Sequence, residues 1–366
     1  MIRRRRSSQK ETVRKPDDSL DTLCERIEKK QVIPIISNSL RLKAIFQKKL
    51  EREDINSKLP FQSSITEQLA VEWAKDIDYP LPDSYRLEGV ARYKRVTSLD
   101  LVKSKTDYLR FLKTILLDLA DSDTLKPDDS VLTSELENQL HRLTVSDVTT
   151  ELDYPRYEAK KRDPLRQLAQ LQLPIYITTS HHDFLARMIE AEGRSPQRQV
   201  CEWTKAVPIS EQPPPKFRPT AENPLVYHLF GLEKYPASLV LSEDDHLDFL
   251  YKMAQTNKTT DSIIPLYLAE KLAESSLMLL GYRLYDWDFR TLFRLLNAIE
   301  DGRRMNSLMI QLDPKTEATI PSQINGPAAR NYLAEYLDPK RYRMMWGESD
   351  TIINQIWEAW QTWKTQ

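Results

Sequence analysis

Apolar residues recur along this chain in two rhythms. Short unbroken runs, QVIPII (31–36), PIYI (174–177), VYHLF (226–230), LMLL (277–280) and SLMIQL (307–312), are bounded by polar or turn residues and predict buried strands, with YRMMW (342–346) as a last one. Between them apolar positions return at spacings of three and four, which predicts helices. Leu20, Leu23 and Ile27 share a face over residues 19–30, and residues 41–53 form a second such segment. Residues 64–75, 85–93, 106–120 and 134–143 follow, with Leu109, Leu112, Leu116 and Leu119 as the clearest stripe. The final segment, 350–364, brings Ile353, Ile356, Trp357, Trp360 and Trp363 together, a stripe better suited to a core than to a partner's groove.

Strands alternating with helices predict an α/β fold: a Rossmann-like parallel sheet with helices on both faces. Residues 54–165 contain no strand pattern and read as a helical insertion between the first and second strands. The chain therefore divides into an arm (1–18), a Rossmann-like domain (19–53 and 166–366) and the insertion. The stretch 208–224 holds SEQPPPKFRPTAENP, too rich in proline for regular structure, and is expected to be a mobile flap.

Composition narrows the chemistry. Seven glycines against 22 prolines, with no GxGxxG and no GxxxxGK[ST], exclude a standard dehydrogenase or P-loop enzyme. No apolar run is long enough for a membrane span, and the N-terminus lacks the apolar stretch of a secretory signal. Cys24 and Cys201 are too few for a disulfide framework and too distant for a CxxC site, so a reducing cytoplasm is expected. A net charge of −1 gives no global drive towards nucleic acid. The exception is the run Arg3 to Arg6, read as a disordered basic arm, with salt-sensitive contact to an acidic partner or nucleic acid as the minor alternative.

Five segments can carry chemistry, each at a strand end. IPIISNSL (33–40) opens a helix whose free N–H groups suit phosphate, although Ser37 or Asn38 can equally serve as an N-cap. ITTSHHDFLARM (177–188) contains Thr179, Ser180 and the pair His181–His182; the plain alternative is Ser180 capping a helix, with Asp183 three residues on and both histidines exposed. VYHLFG (226–231) places His228 two residues before Phe230, on the same side of a strand, and a satisfied buried histidine is its commoner fate. In SLVLSEDDHLDFLYKM (238–253), Ser242 caps a helix whose first turn is Glu243, Asp244 and Asp245, which fits a helix start better than a metal site. LMLLGYRLYDWDFRTLFRLL (277–296) ends a strand at Gly281 and opens a helix at Asp286 or Asp288.

In this order, and with LMIQLDP (308–314) after them, these segments resemble the sirtuin-like, NAD-consuming proteins of prokaryotes over residues 33–314. The resemblance implies an NAD or ADP-ribose ligand held by Ser37, Asn38, Ser39, Thr179, Gly231, Gly281, Tyr282, Asp286 and Gln311. The family's Gly-Ala-Gly-x-Ser turn is here Ile36-Ser37-Asn38-Ser39; its Asn, which holds the nicotinamide ribose and water, is replaced by Ser180, and its His-Gly histidine by Phe230. Ser180, His181 and His228 are the remaining catalytic candidates, with His182 as a further source of a base. The adenosine side, Gly281, Asp286 and Gln311, is better kept. Two isolated cysteines cannot build the zinc ribbon of sirtuin deacetylases, so no metal is expected and a peptide deacylase is disfavoured. Members of the branch resembled are commonly NAD glycohydrolases of anti-phage defence, often oligomers with a sensor partner. The resemblance thus implies a cytoplasmic homo-oligomer with a sensor or NTPase partner. It leaves three readings: a nucleotide-binding module with glycohydrolase activity weak or lost, an active NAD hydrolase with a relocated histidine base, and a pure scaffold.

Overall fold

A computed structural model describes residues 20–52, 63–121, 129–157, 162–214, 216–256, 262–299, 307–312 and 342–365, together with 328, 331, 332 and 335. The arginine arm lies outside the described residues. Helix α1 (Leu20–Glu28) precedes strand β1 (Val32–Ile36), from whose carboxyl end α2 (Asn38–Arg52) departs. Helices α3 (Ile65–Asp76), α4 (Leu87–Ser98), α5 (Leu101–Asp121), α6 (Asp129–Gln139), α7 (Val145–Glu151) and α8 (Pro164–Ala169) follow before the next strand. Then come β2 (Ile175–Thr178), α9 (Phe184–Ala191), β3 (Gln197–Val200) and β4 (Leu225–His228). Helices α10 (Glu243–Thr256) and α11 (Leu266–Glu274) lead into β5 (Ser276–Leu280), α12 (Trp287–Ile299), β6 (Ser307–Leu312), β7 (Tyr342–Trp346) and α13 (Ser349–Trp363).

The strands form one sheet in the order β3-β4-β2-β1-β5-β6-β7, and every recorded pairing is parallel. The chain lays β2, the edge strand β3 and then β4 between them on one side of β1, and resumes at β5 on the other. The strand order therefore reverses between β1 and β5, where open α/β sheets offer a crevice beyond their carboxyl ends.

Strand alternation splits the core. Val32, Ile36, Tyr176, Val226, Met278 and Leu280 face the layer shared with α1, α2, α13 and the inserted helices. Ile33, Ile35, Ile177, Tyr227, Leu277 and Leu279 face the layer with α11 and α12. Pro34 sits in the central strand, a position proline seldom occupies. Ser37 N bonds Leu280 O and Thr179 N bonds Ile36 O, so by alternation the nitrogen of residue 34 faces β2. Pairing of β1 with β2 accordingly covers only Ile35 and Ile36, whereas pairing with β5 runs from Val32 to Ile36.

Several expectations change. β3 escaped the pattern because its sequence, QRQV, is polar, as suits an edge strand with only Val200 buried. β4 stops at His228 because the chain turns through Leu229 and Phe230 to Gly231, whose φ of +91° only glycine adopts easily. The proline-rich stretch meets β3 and the core at two of its residues. Gln212 exchanges two hydrogen bonds with the Val200 backbone, and Phe217 packs on the core. The tryptophan stripe is core: Ile353, Ile356 and Trp360 are buried, and Trp357 Nε1 donates to Gln170. Among the described residues no helix is long and apolar enough to cross a membrane.

Candidate functional site

The carboxyl ends of β1, β2 and β5 are knitted together by short polar side chains. Ser37 is the N-cap of α2, its Oγ accepting from Ser39 N at 3.0 Å. Ser39 Oγ donates to Gly281 O at 2.6 Å and stands 2.7 Å from Ser37 Oγ. With that proton spent on a carbonyl, Ser37 is the donor between the two hydroxyls. Asn38 Oδ1 accepts from Ser180 Oγ at 3.0 Å. Gly281 N donates to Gln311 Oε1 at 2.9 Å, and Gln311 Nε2 reaches Gly347 O at 2.6 Å. Gly281 has φ +79°, and a Cβ there would press on Leu40 and Ser37 at 3.3 and 3.4 Å. The first turn of α2 is thus fixed where its dipole favours an anion.

Above this floor lies a crevice of about 360 Å³, at the lower end of ligand pockets (~300–1,000 Å³). Ser37, Asn38 and Ser39 line its floor, and Ser64, Glu67, Arg86, Glu88 and Arg92 of the insertion line its roof. The roof is held by ion pairs. Arg283 donates to Glu67, the capping-box residue of α3, at 2.6 Å. The three acids that open α10 each find a cation on the insertion: Glu243 with Arg92 at 2.9 Å, Asp244 with Arg95 at 3.5 Å and Asp245 with Lys105 at 3.0 Å. Ser242 caps α10 as expected, and Ser242 N donates to Asp245 Oδ2 in return.

Two imidazoles, His181 and His246, and two carboxyl groups, Asp286 and Asp288, line the wall beneath Glu88 of the roof. Burial holds both histidines neutral, with pKa values lowered to about 3. His181 Nε2 lies 3.0 Å from Val240 O. A carbonyl only accepts, so Nε2 carries the proton and the lone pair of Nδ1 has no partner among the described residues. Burial lifts Glu88 to about 7 and Asp286 to about 6. Asp288 is raised by burial and by its neighbours Glu88 and Asp286. Carboxyls that ionise near neutrality beside neutral imidazoles are suited to proton transfer.

Ser180, Thr179, Gly231, Tyr282, Gln311 and His228 support the crevice without lining it. Thr179 Oγ1 and Tyr282 OH, both buried, share a hydrogen bond of 3.2 Å. Gly231 admits no side chain because a Cβ would fall 2.3 Å from Ser238 O. His228 is closed to water, with Nδ1 3.5 Å from Ser180 O and Nε2 3.9 Å from Asp183. Phe230 is wholly buried between His246 and Phe249, edge-on to both at 5.4 Å. The Ser180 capping box does not form. The helix begins at Phe184, Ser180 Oγ bonds Asn38, and Asp183 pairs with Arg198 at 2.7 Å. Nor are the two histidines exposed. His182 Nδ1 lies 2.8 Å from Glu233 Oε2, and that carboxylate also accepts from Val145 N and Ser146 N at the start of α7. Burial opposes its charge, but His182 and these hydrogen bonds keep the Glu233 pKa below the usual value.

His246, Glu88, Asp288 and Arg92 were missed as site residues. The one available signal was that four of the chain's five histidines fall within residues 181–246. His246 hid in an acidic run that reads as a helix start. Glu88 and Arg92 come from the insertion, whose docking position no local pattern encodes. Among the described residues no three His, Cys, Asp or Glu side chains are grouped to hold a metal ion.

A family model described as the SIR2-like domain matches residues 174–336, from the start of β2 past β6. No curated protein matches the chain.

Proposed function

Since the chain is sirtuin-like over that matched segment, we propose that the crevice binds NAD or an ADP-ribose-type nucleotide. The observation that carries this reading is the site's position, over the β1–β5 reversal and the fixed start of α2. The helix start and the guanidinium groups of Arg86 and Arg290 offer donors for a pyrophosphate. The unpaired acceptor of His181 offers a contact to a ribose hydroxyl or an amide. Serine in place of glycine at residue 37 narrows the approach of phosphate, and its side chain turns that cost into a cap.

In this reading the protein is a cytoplasmic effector, or effector-derived subunit, of a prokaryotic anti-phage defence system. It works as a homo-oligomer with a sensor or NTPase partner, and its glycohydrolase activity is weak or lost. Phe230 in the core and Ser180 bonded to Asn38 support the loss. A second reading, an active hydrolase with a relocated base, draws on the two neutral imidazoles that line the crevice; His228, closed off behind it, no longer competes for that role. Calorimetric titration with ADP-ribose, beside an assay of nicotinamide released from NAD, tests both. Absence of ADP-ribose binding to folded protein would sink the nucleotide reading and return the chain to a scaffold.

A further inference from the structure

A second cavity, also of about 360 Å³, lies along the seam of ion pairs between the insertion and α10. Arg92 and Glu243 line the crevice, Arg95, Lys105 and Asp245 line the second cavity, and the two share no lining residue. Its walls are largely apolar: Leu101 and Val102 from the first turn of α5, with Trp203 and Ala206 from the turn after β3. Leu101 and Val102 leave aliphatic surface open to water. One buried charged pair interrupts this lining. Both oxygens of Asp245 are engaged, Oδ1 by Lys105 and Oδ2 by the N–H groups of Leu241 and Ser242. Lys105 is not so fully used. One of its three N–H groups goes to Leu239 O and one to Asp245; among the described residues the third has only the Trp203 ring, 5.4 Å to its centroid. Burial pulls the Lys105 pKa below its usual value and Asp245 opposes this, so a further anion would reinforce the charge.

We propose that this cavity is a second ligand site and that it takes a small apolar carboxylate. The carboxylate accepts the remaining N–H of Lys105, and the apolar body displaces water from Leu101, Val102 and Trp203. Charge agrees with this choice: the lining carries the cations Arg95, Lys105 and Lys205 against the acids Asp245 and Asp248. Arg95 also stands 3.5 Å from Asp244, a contact that leaves a guanidinium donors to spare. The start of α5 adds a dipole that favours an anion, although Asp100 already caps the N–H groups of Val102 and Lys103. The two acids weigh against a phosphate dianion, and the aliphatic walls against a sugar, whose hydroxyls would go unsatisfied there. The volume, at the low end of ligand pockets (~300–1,000 Å³), limits the body to a small one. The site is thus chemically distinct from the nucleotide crevice and does not depend on it.

The test titrates the full chain calorimetrically with 1-naphthoate and with its neutral counterpart 1-naphthamide. Naphthoate is expected to bind saturably, and about tenfold more tightly than the amide, because a hydrogen bond between two charged groups is the stronger one. Val102 is 38 % exposed, so Val102→Trp has room to fold, and its larger ring fills the cavity. It should weaken naphthoate by about tenfold or more. Naphthoate affinity should stay the same with ADP-ribose present, since the two cavities are separate. Lys105→Met should bring acid and amide to equal affinity; if that variant does not fold, the comparison of ligands and Val102→Trp decide. No saturable binding to folded wild type, equal affinity for acid and amide, undiminished binding in Val102→Trp, or displacement of naphthoate by ADP-ribose would each overturn the proposal. None of these results bears on whether the crevice binds a nucleotide, and a failure of ADP-ribose to bind leaves this site standing.

Discussion

Lys105 Nζ lies 3.0 Å from Asp245 Oδ1, with side chains only 6 % and 7 % exposed, and this ion pair joins the inserted helix α5 to the first turn of α10. Lys105 also donates to Leu239 O at 2.6 Å, and Asp245 accepts from the backbone of Leu241 and Ser242. The pair and the cap bonds hold the Asp245 carboxylate ionised against the opposing effect of burial. Removing one partner should cost ~3–5 kcal/mol, because a buried charge is then left uncompensated. Lys105→Met and Asp245→Leu are each expected to lower the urea midpoint sharply. The double variant Lys105→Met/Asp245→Leu should recover part of the loss. Additive losses in the double-mutant cycle would show that the two groups act independently.

Glu88 gives the crevice a pH signature. Its pKa rises from 4.5 to about 7 in the folded protein, so the native state holds a proton that the unfolded chain releases between those values. Stability from this group is therefore greatest at acid pH and falls as pH rises towards 7. Glu88→Gln should be more stable than wild type by ~1–2 kcal/mol at pH 8, with one pH unit worth ~1.4 kcal/mol and the half-buried site reducing the full effect. The gain should shrink steadily towards pH 5 and vanish only below 4.5, where the unfolded chain is protonated too. The buried histidines act in the opposite sense: their lowered pKa values make stability fall as pH drops below about 6.5. Thermal melts of both proteins from pH 5 to 8 separate the contributions, and a constant difference across that range would remove Glu88 as their source.

The sheet was legible because buried strands in this chain are compact apolar runs, and β1, β2, β6 and β7 have the residue bounds or near-bounds that the pattern predicts. Gly281 and the serine turn were legible as places where strands end and helices begin. What could not be read was burial depth. Phe230 occupies the expected strand-end position, yet its ring turns into the core. His246, placed in sequence among acids that favour a helix start, turns into the crevice. Side-chain direction at such turns depends on which helix packs above, and here that helix is ordered by long-range pairs such as Lys105 with Asp245.

The double substitution Ser180→Asn with Phe230→His is expected to give no gain in nicotinamide release. Phe230 is fully buried against Phe249 and His246, so an imidazole there would lose packing and leave a buried ring nitrogen unsatisfied. A loss of ~2–4 kcal/mol is expected from these two effects together. Chemical denaturation measures the loss, and a stable double variant with faster hydrolysis would show that the strand end still reaches substrate.

Gly231→Ala should be among the most damaging small changes. The φ of +91° strains any side chain, and the added methyl would fall 2.3 Å from Ser238 O and 2.7 Å from Leu239 Cα. On the order of 3 kcal/mol or more is expected. Gly193→Ala is the control: its φ is +78° but nothing lies within 4 Å, so it should cost only the smaller backbone strain. Equal losses in the two variants would rule out the contact with Ser238 as the cause.

Glu233 binds the starts of two other segments at once, the head of α7 and the turn that carries His182, and its side chain is almost inaccessible to water at 1 %. At the opposite rim the inserted helices are tied by Arg92 to Glu243, side chains that water reaches at 49 % and 31 %. The insertion is therefore fastened by contacts of two kinds, one that water does not reach and one that it does. Dissolved salt screens the exposed Arg92–Glu243 pair and leaves Glu233 untouched, while the buried pair of Lys105 with Asp245 keeps the inserted helices on the start of α10 at any ionic strength.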